Sequence, residues 1–193
     1  YGFYPRDCAR VELRNVNLRR CGSDGTVANH DFSQDQVTQK AAWDAKVHMD
    51  NGGATRIQSC QLAIVSNCNV EHCLRGLRLQ DVESGIVTNN RIYRTLEAGI
   101  YCSSSSYGNQ HGCDRFLVSG NRLQECFNNS ILVIGGRNNT VTGSDVIGGA
   151  NAAVQCYSAM DLRWTGNTIT RCNLRGFSGI GTYGDAETSI VFT

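Results

Sequence analysis

The sequence predicts an all-β fold, a right-handed parallel β-helix of about 22–23 residues per coil with one short helical insertion. Three observations carry this expectation. Apolar residues recur at that period, and the stretches between them alternate apolar and polar residues before ending in turn residues. The third is composition: 21 Gly against a single Pro among 193 residues describe a turn-rich, ordered chain rather than a helical bundle.

The repeat is read from aligned segments that end at Leu18, Val70, Ile92, Leu123 and Ile169, with a weaker one ending at Val146. Leu13, Val65, Val87, Val118, Val141 and Trp164 form one apolar column. Leu18, Val70, Ile92, Leu123, Val146 and Ile169 form the next, five residues on. A third column follows seven or eight residues later at Leu77, Ile100, Ile131, Val154 and Phe177, commonly behind small residues such as Ala98 and Gly99. Stacked coil on coil, these columns make one core. A leucine-rich repeat is the alternative solenoid, but its leucine-plus-asparagine spacing is missing.

Turn positions repeat as well. Cys21, Cys73, Thr95, Cys126, Gly149 and Cys172 stand three residues past the second column, small or weakly polar as an inward stack at a corner requires. Asn90, Asn121 and Asn167 share a turn position where a ladder of stacked amides can satisfy turn carbonyls.

Two insertions lengthen the period, at residues 28–56 and 103–114. The first carries Ser33-Gln34-Asp35-Gln36, a capping box, ahead of Val37 to Val47, where a short amphipathic helix is expected. The second is bounded by Cys102 and Cys113, which a disulfide can close in an oxidising compartment. Both leave the solenoid from the same edge and flank a groove, and insertions gathered on one side of a repeat protein usually mark its binding face.

Charge and cysteine pattern exclude several classes of partner. Lys+Arg 18 against Asp+Glu 17 leaves a net charge of +1, without the basic footprint of a nucleic-acid binder. No apolar run approaches the roughly 18 residues of a membrane span. Ten Cys include no CxxC pair, so structural zinc is unsupported, and no Asp-rich loop marks a metal site.

What the groove offers suits a sugar polymer. Tyr1, Tyr4, Tyr101 and Tyr107 can stack on sugar faces, while Arg6, Arg75 and Arg115 can grip uronate or sulfate groups bidentately. His30 and Asp31 sit where the strand enters the first insertion. An anionic polysaccharide is the expected partner, with no nucleic acid and no membrane.

From Tyr1 onward the chain resembles the catalytic β-helix module of bacterial mannuronan C5-epimerases and, more loosely, pectin-lyase-like polysaccharide lyases and phage tailspikes. Tyr1-Gly2-Phe3-Tyr4-Pro5-Arg6-Asp7 falls where that family has Tyr-Gly-Phe-Asp-Pro-His-Glu, and Asp24-Gly25-Thr26-Val27-Ala28-Asn29 is similar to its Asp-Gly-Phe-Val-Ala-Asp. Ser106-Tyr107, His111 and Asp114 match the spacing of a further loop. The departures are specific: Tyr4 replaces the motif aspartate, Arg6 the motif histidine and Asn29 an acidic residue, while Arg75 stands for a second histidine and Ile134 for a lysine.

The resemblance implies lyase or C5-epimerase-like chemistry on a uronate-containing glycan: neutralise the C5 carboxylate, abstract the C5 proton, then reprotonate or eliminate. Arg6 or Arg75 would neutralise the carboxylate, Tyr1 would act as acid or base, and His30 or His111 would be its partner. Tyr4, Asp7, Asp24, Asn29, Asp31, Tyr107, Asp114 and Arg115 would line the substrate. A tailspike-type depolymerase hydrolysing through paired carboxylates, and a non-catalytic glycan-binding or structural β-helix, are the alternatives.

No cofactor is demanded, although the resemblance allows calcium. It implies an extracellular location, secreted or on a virion surface, and a homotrimer if the chain is a tailspike. The chain opens inside the resembling motif and ends in what reads as mid-strand, so a single domain over 1–193, seven or eight coils of a longer protein with further domains at both ends, is expected.

Overall fold

The computed structural model describes residues 2–21, 53–103, 113–149, 152–157, 161–172, 180–183 and 190–192. The first coil contributes β1 (Arg10–Arg14) and β2 (Asn17–Arg19), and the second β3 (Thr55–Gln58), β4 (Leu62–Ser66) and β5 (Asn69–Cys73). Then come β6 (Leu77–Gln80), β7 (Ser84–Thr88) and β8 (Arg91–Thr95), followed by β9 (Ala98–Ser103), β10 (Phe116–Ser119) and β11 (Arg122–Gln124). The fifth coil is β12 (Asn129–Ile134), β13 (Thr140–Thr142) and β14 (Asp145–Gly149), and the sixth β15 (Ala152–Tyr157), β16 (Leu162–Thr165) and β17 (Thr168–Cys172). β18 (Ile180–Tyr183) and β19 (Ile190–Phe192) open the seventh.

Every third strand pairs in parallel. The first sheet runs β1-β4-β7-β10-β13-β16-β19, the second β2-β5-β8-β11-β14-β17, and the third β3-β6-β9-β12-β15-β18. The chain therefore winds through three faces per coil, each coil resting about 4.8 Å above the last. That is a parallel β-helix.

The two expected columns hold in register. Leu13, Val65, Val87, Val118, Val141 and Trp164 are successive partners in the first sheet, and Phe192 extends the row. Leu18, Val70, Ile92, Leu123, Val146 and Ile169 do the same in the second. In the third sheet Leu77, Ile100, Ile131 and Val154 are fully buried, but Ile180 occupies the next position in place of Phe177, because the last coil spaces its third column eleven residues past Ile169 rather than eight.

The corners are as repetitive as the strands. Between the first and second sheets, one left-handed residue per coil turns the chain: Asn15, Asn67 and Asn89, then Gly120, Gly143 and Gly166, with φ of 54–61°. Asn and Gly tolerate that region because other side chains clash there. At Gly120 a Cβ would also lie 2.5 Å from Asn89 Oδ1.

In three of the coils the next residue is an asparagine, and Asn90, Asn121 and Asn167 form the amide ladder. Asn90 Oδ1 accepts from Cys68 N at 2.9 Å, Asn121 Oδ1 from Asn90 N at 3.0 Å, and Asn167 Oδ1 from Ser144 N at 2.9 Å. Their Nδ2 groups donate to the Val65, Val87 and Val141 carbonyls at 3.1, 2.9 and 2.9 Å. Each amide thus satisfies both an N–H and a carbonyl of the corner one coil earlier. Cys73 and Thr95 are partners in the expected small-residue column, both fully buried, and Cys126 is as deep.

Other expectations need correcting. Thr55 and Arg56 belong to β3, and Ala54 N already donates to Arg75 O at 2.8 Å, so the first insertion closes before them. In the second, Ser103 ends β9, and Asp114 accepts from Arg137 N at 2.8 Å, so both expected boundary residues are part of the coil. Because the first insertion precedes a third-sheet strand while the second follows one, the two leave from opposite edges of that sheet, not from the same edge. Cys102 and Cys113 are not bridged. They contact each other as buried thiols, and Cys113 Sγ donates to the Leu79 and Ser103 carbonyls at 3.3 and 3.5 Å. The hydrogen bond to Cys113 and burial push the Cys102 thiol well up, which keeps it protonated. The helix expected at 37–47 lies outside the described residues, and no helix among the described residues is long and apolar enough to cross a membrane.

Candidate functional site

Strands alternate their side chains, so wherever Leu77, Ile100 and Ile131 point inward, the residue between points out. The third sheet carries two outward rows. One is Tyr4, Arg56, Arg78, Tyr101, Leu132 and Gln155; the other is Arg6, Gln58, Gln80, Ser103 and Ile134. Tyr157 and Tyr183 hold the register positions that continue the second row.

The side chains at the start of these rows lock together. Tyr4 Oη donates to Gln58 Oε1 at 2.7 Å, and the Arg56 guanidinium lies 5.3 Å from the Tyr4 ring centre. Arg56 in turn donates through Nη2 and Nε to Gln80 Oε1, at 2.9 and 3.2 Å. One coil further, the Arg78 guanidinium lies 5.2 Å from the Tyr101 ring centre. Each cation–ring contact is worth about 0.5–1 kcal/mol where exposed, and it holds the arginine in a defined pose. Beyond Tyr101 the face becomes apolar, with Leu132 and Ile134 buried although their register turns them outward, and Ser103 Oγ beside them is buried with no hydrogen-bond partner among the described residues.

Among the expected site residues, the structure brings Tyr4 and Arg6 onto this face. Arg6 is exposed and lies 3.3 Å from the carboxylate of Asp7, which is exposed at the corner leading to the first sheet. Arg75 does not join them. It stands at the other end of the third sheet's strands, 5% exposed and ion-paired with Glu97 one coil away. Five residues separate it from Gln80 in the second row, roughly 16 Å along the strand.

Asp114 caps a turn, and Arg115 sits exposed with φ 53° where the chain enters the first sheet. Tyr1, Asp24, Asn29, His30, Asp31, Tyr107 and His111 lie outside the described residues. Among the described residues no group of His, Cys, Asp and Glu is placed to hold a metal ion.

Arg56, Gln58, Arg78 and Gln80 are the residues the sequence reading passed over. A signal for them was present: Arg56-Ile57-Gln58 and Arg78-Leu79-Gln80 repeat one coil apart, with the apolar residue inward and the polar pair outward.

Three parallel sheets wound into one tube, with a side face of interlocked arginines, tyrosines and glutamines, define a parallel β-helix that presents a long lateral surface. A model of the family described as the right-handed β-helix region matches residues 1–174, and the chain belongs to that family. No curated protein and no solved structure gives a match.

Proposed function

We propose that the protein acts on an acidic polysaccharide laid across the outer face of the third sheet, by proton-transfer chemistry at C5 of a uronate. The observation that carries this reading is the row Tyr4, Arg56, Arg78, Tyr101, a run of aromatic and cationic groups repeating at about 4.8 Å, close to the advance of a sugar chain. Planar guanidinium groups held against rings suit carboxylates, and tyrosine rings suit sugar faces.

In this reading Arg6 neutralises the uronate carboxylate, which acidifies the C5 proton. Tyr1, from its place in the resembling motif, transfers that proton with His30 or His111 as its partner. Loss of the C5 proton and breakage of the C4–O bond leave a C4=C5 double bond and a protonated leaving oxygen; return of the proton to the other face gives the epimer. Arg75 has no part, because Glu97 already occupies it.

For the hydrolytic alternative, whose carboxylates would come from Asp7, Asp24, Asp31 and Asp114, one pair is too far apart, while Asp24 and Asp31 lie outside the described residues. Asp7 and Asp114 stand three coils apart, about 14 Å, beyond the roughly 9.5 Å that separates the carboxylates of an inverting pair. Binding without turnover is the second reading. It is favoured by one observation: the positions where the resembling family carries Asp, His and Lys hold Tyr4, Arg6 and Ile134 here, all three on the same face.

Incubation with polymannuronate, polygalacturonate and other anionic polysaccharides tests this, reading ultraviolet absorbance of unsaturated uronate, reducing ends, and C5 configuration by proton NMR. Unsaturated product or epimerised residues are expected, lost in Arg6→Ala and Tyr1→Phe while thermal unfolding is unchanged. Reducing ends without absorbance would move the assignment to hydrolysis. Tight binding with no product would establish the second reading.

A further inference from the structure

We infer that a second anion site lies on the outer face of the second sheet and takes a carboxylate or sulfate group of an acidic oligosaccharide. It rests on the reading that the ligand is an acidic glycan, but not on the third sheet being where that glycan reacts.

The second sheet turns two rows outward: Asn69, Arg91, Arg122 and Asp145, and beside them Glu71, Tyr93 and Gln124. Between the rows runs a shallow groove lined by Asn69, Glu71, Arg91, Tyr93, Arg122 and Gln124. Most charges nearby are already matched. Arg19 pairs with Glu71 at 3.3 Å, Asn69 Nδ2 donates to Glu71 Oε1 at 2.9 Å, and Arg94 pairs with Glu125 at 2.7 Å. Tyr93 is held between the Arg94 guanidinium, 4.8 Å from its ring centre, and the edge-on ring of His72 at 5.5 Å.

Arg91 and Arg122 are the exception. They are direct partners on neighbouring strands, both exposed, and neither has a carboxylate within ion-pair range among the described residues, Asp145 in the next strand included. Like charges directly opposite each other destabilise a sheet. Two arginines on strands about 4.8 Å apart can close as a fork on one carboxylate or sulfate, converting that repulsion into binding.

The surroundings select a sugar rather than another polyanion. Asn69 and Gln124 offer amide groups to hydroxyls, and Tyr93 gives a fixed apolar floor. A net charge of +1 supplies no long basic track for a nucleic-acid backbone.

The test is isothermal titration of the whole chain with polygalacturonate oligomers and a heparin-derived oligosaccharide, with a neutral gluco-oligosaccharide and a single-stranded oligonucleotide as controls. Two classes of site are expected for the acidic oligosaccharides. The double variant R91Q/R122Q should weaken one class at least tenfold with unfolding temperature unchanged or raised, since the opposed charges are removed, whereas R56Q/R78Q should weaken only the other. Loss confined to R56Q/R78Q would overturn the second site and leave the third-sheet reading standing. Loss confined to R91Q/R122Q would do the reverse. An oligonucleotide bound at Arg91 and Arg122 as tightly as the sugars would overturn the choice of ligand, and no binding of any acidic sugar would overturn both.

Discussion

On β6, Leu77 and Leu79 are fully buried, while Arg78 between them reaches an aromatic ring on the outer surface. The same strand therefore belongs to two regions under different rules. Inside, each coil must offer the next a residue of the same kind, because a mismatch leaves a void or an unpaired polar group in a continuous core. Outside, no such match is required, so Tyr4, Arg56, Arg78, Tyr101 and Leu132 can follow one another in a single row, two arginines side by side included. Periodicity marks the scaffold, and departure from periodicity marks where chemistry can be placed.

Breaking the interior should cost most. Trp164→Ala removes the largest side chain of the first-sheet column, 5% exposed, and is expected to lower stability by about 3–5 kcal/mol in urea unfolding. An unchanged midpoint would contradict the register. The amide ladder comes next: Asn121→Ala strips Asn90 N–H and Val87 C=O of their partners, and roughly 2–6 kcal/mol should be lost at about 1–3 kcal/mol for each buried group. Asn67→Gly, in the adjacent left-handed position, should move stability by less than about 0.5 kcal/mol, since its role is conformational.

On the outer face the balance reverses. Arg56→Ala and Tyr101→Ala should lower stability by about 1 kcal/mol, the scale of the contacts they lose, yet weaken binding of acidic oligosaccharides about tenfold, which titration calorimetry reads directly. A stability loss as large as that of Asn121→Ala would mean that the row is scaffold after all.

The smallest effect concerns the thiols. Burial pushes Cys73 and Cys156 up to about 12, so at pH 8 both remain protonated and shielded in the native state. Alkylation followed by mass spectrometry should label the half-buried Cys8 and Cys21 first, with Cys73 and Cys156 reacting only after denaturation.

Much of this was legible in the sequence because a β-helix core is a one-dimensional pattern. The Leu13 and Leu18 columns and the Asn90, Asn121, Asn167 ladder could be read from spacing alone, since stacking at about 4.8 Å makes residues one coil apart into neighbours. Spacing failed where the coil length changed. Phe177 stands eight residues past Ile169, like its predecessors, but Ile180 takes the register position beside Val154. The candidate site was half legible: Tyr4 and Arg6 were marked by their motif, whereas Arg56 and Arg78 required knowing which side of β3 and β6 faces outward.

By itself, then, the sequence determined the winding of this chain, its coil length, its buried columns and its asparagine corner, because those follow from which residues recur. Only the tertiary structure decided which arginines are available. Arg75 and Arg91 are indistinguishable as letters, yet Glu97 lies one coil from Arg75 in a buried corner and consumes it, while Arg91 stands in the open beside Arg122. Availability of charge depends on neighbours in three dimensions and on burial, and neither is written in the period of the repeat.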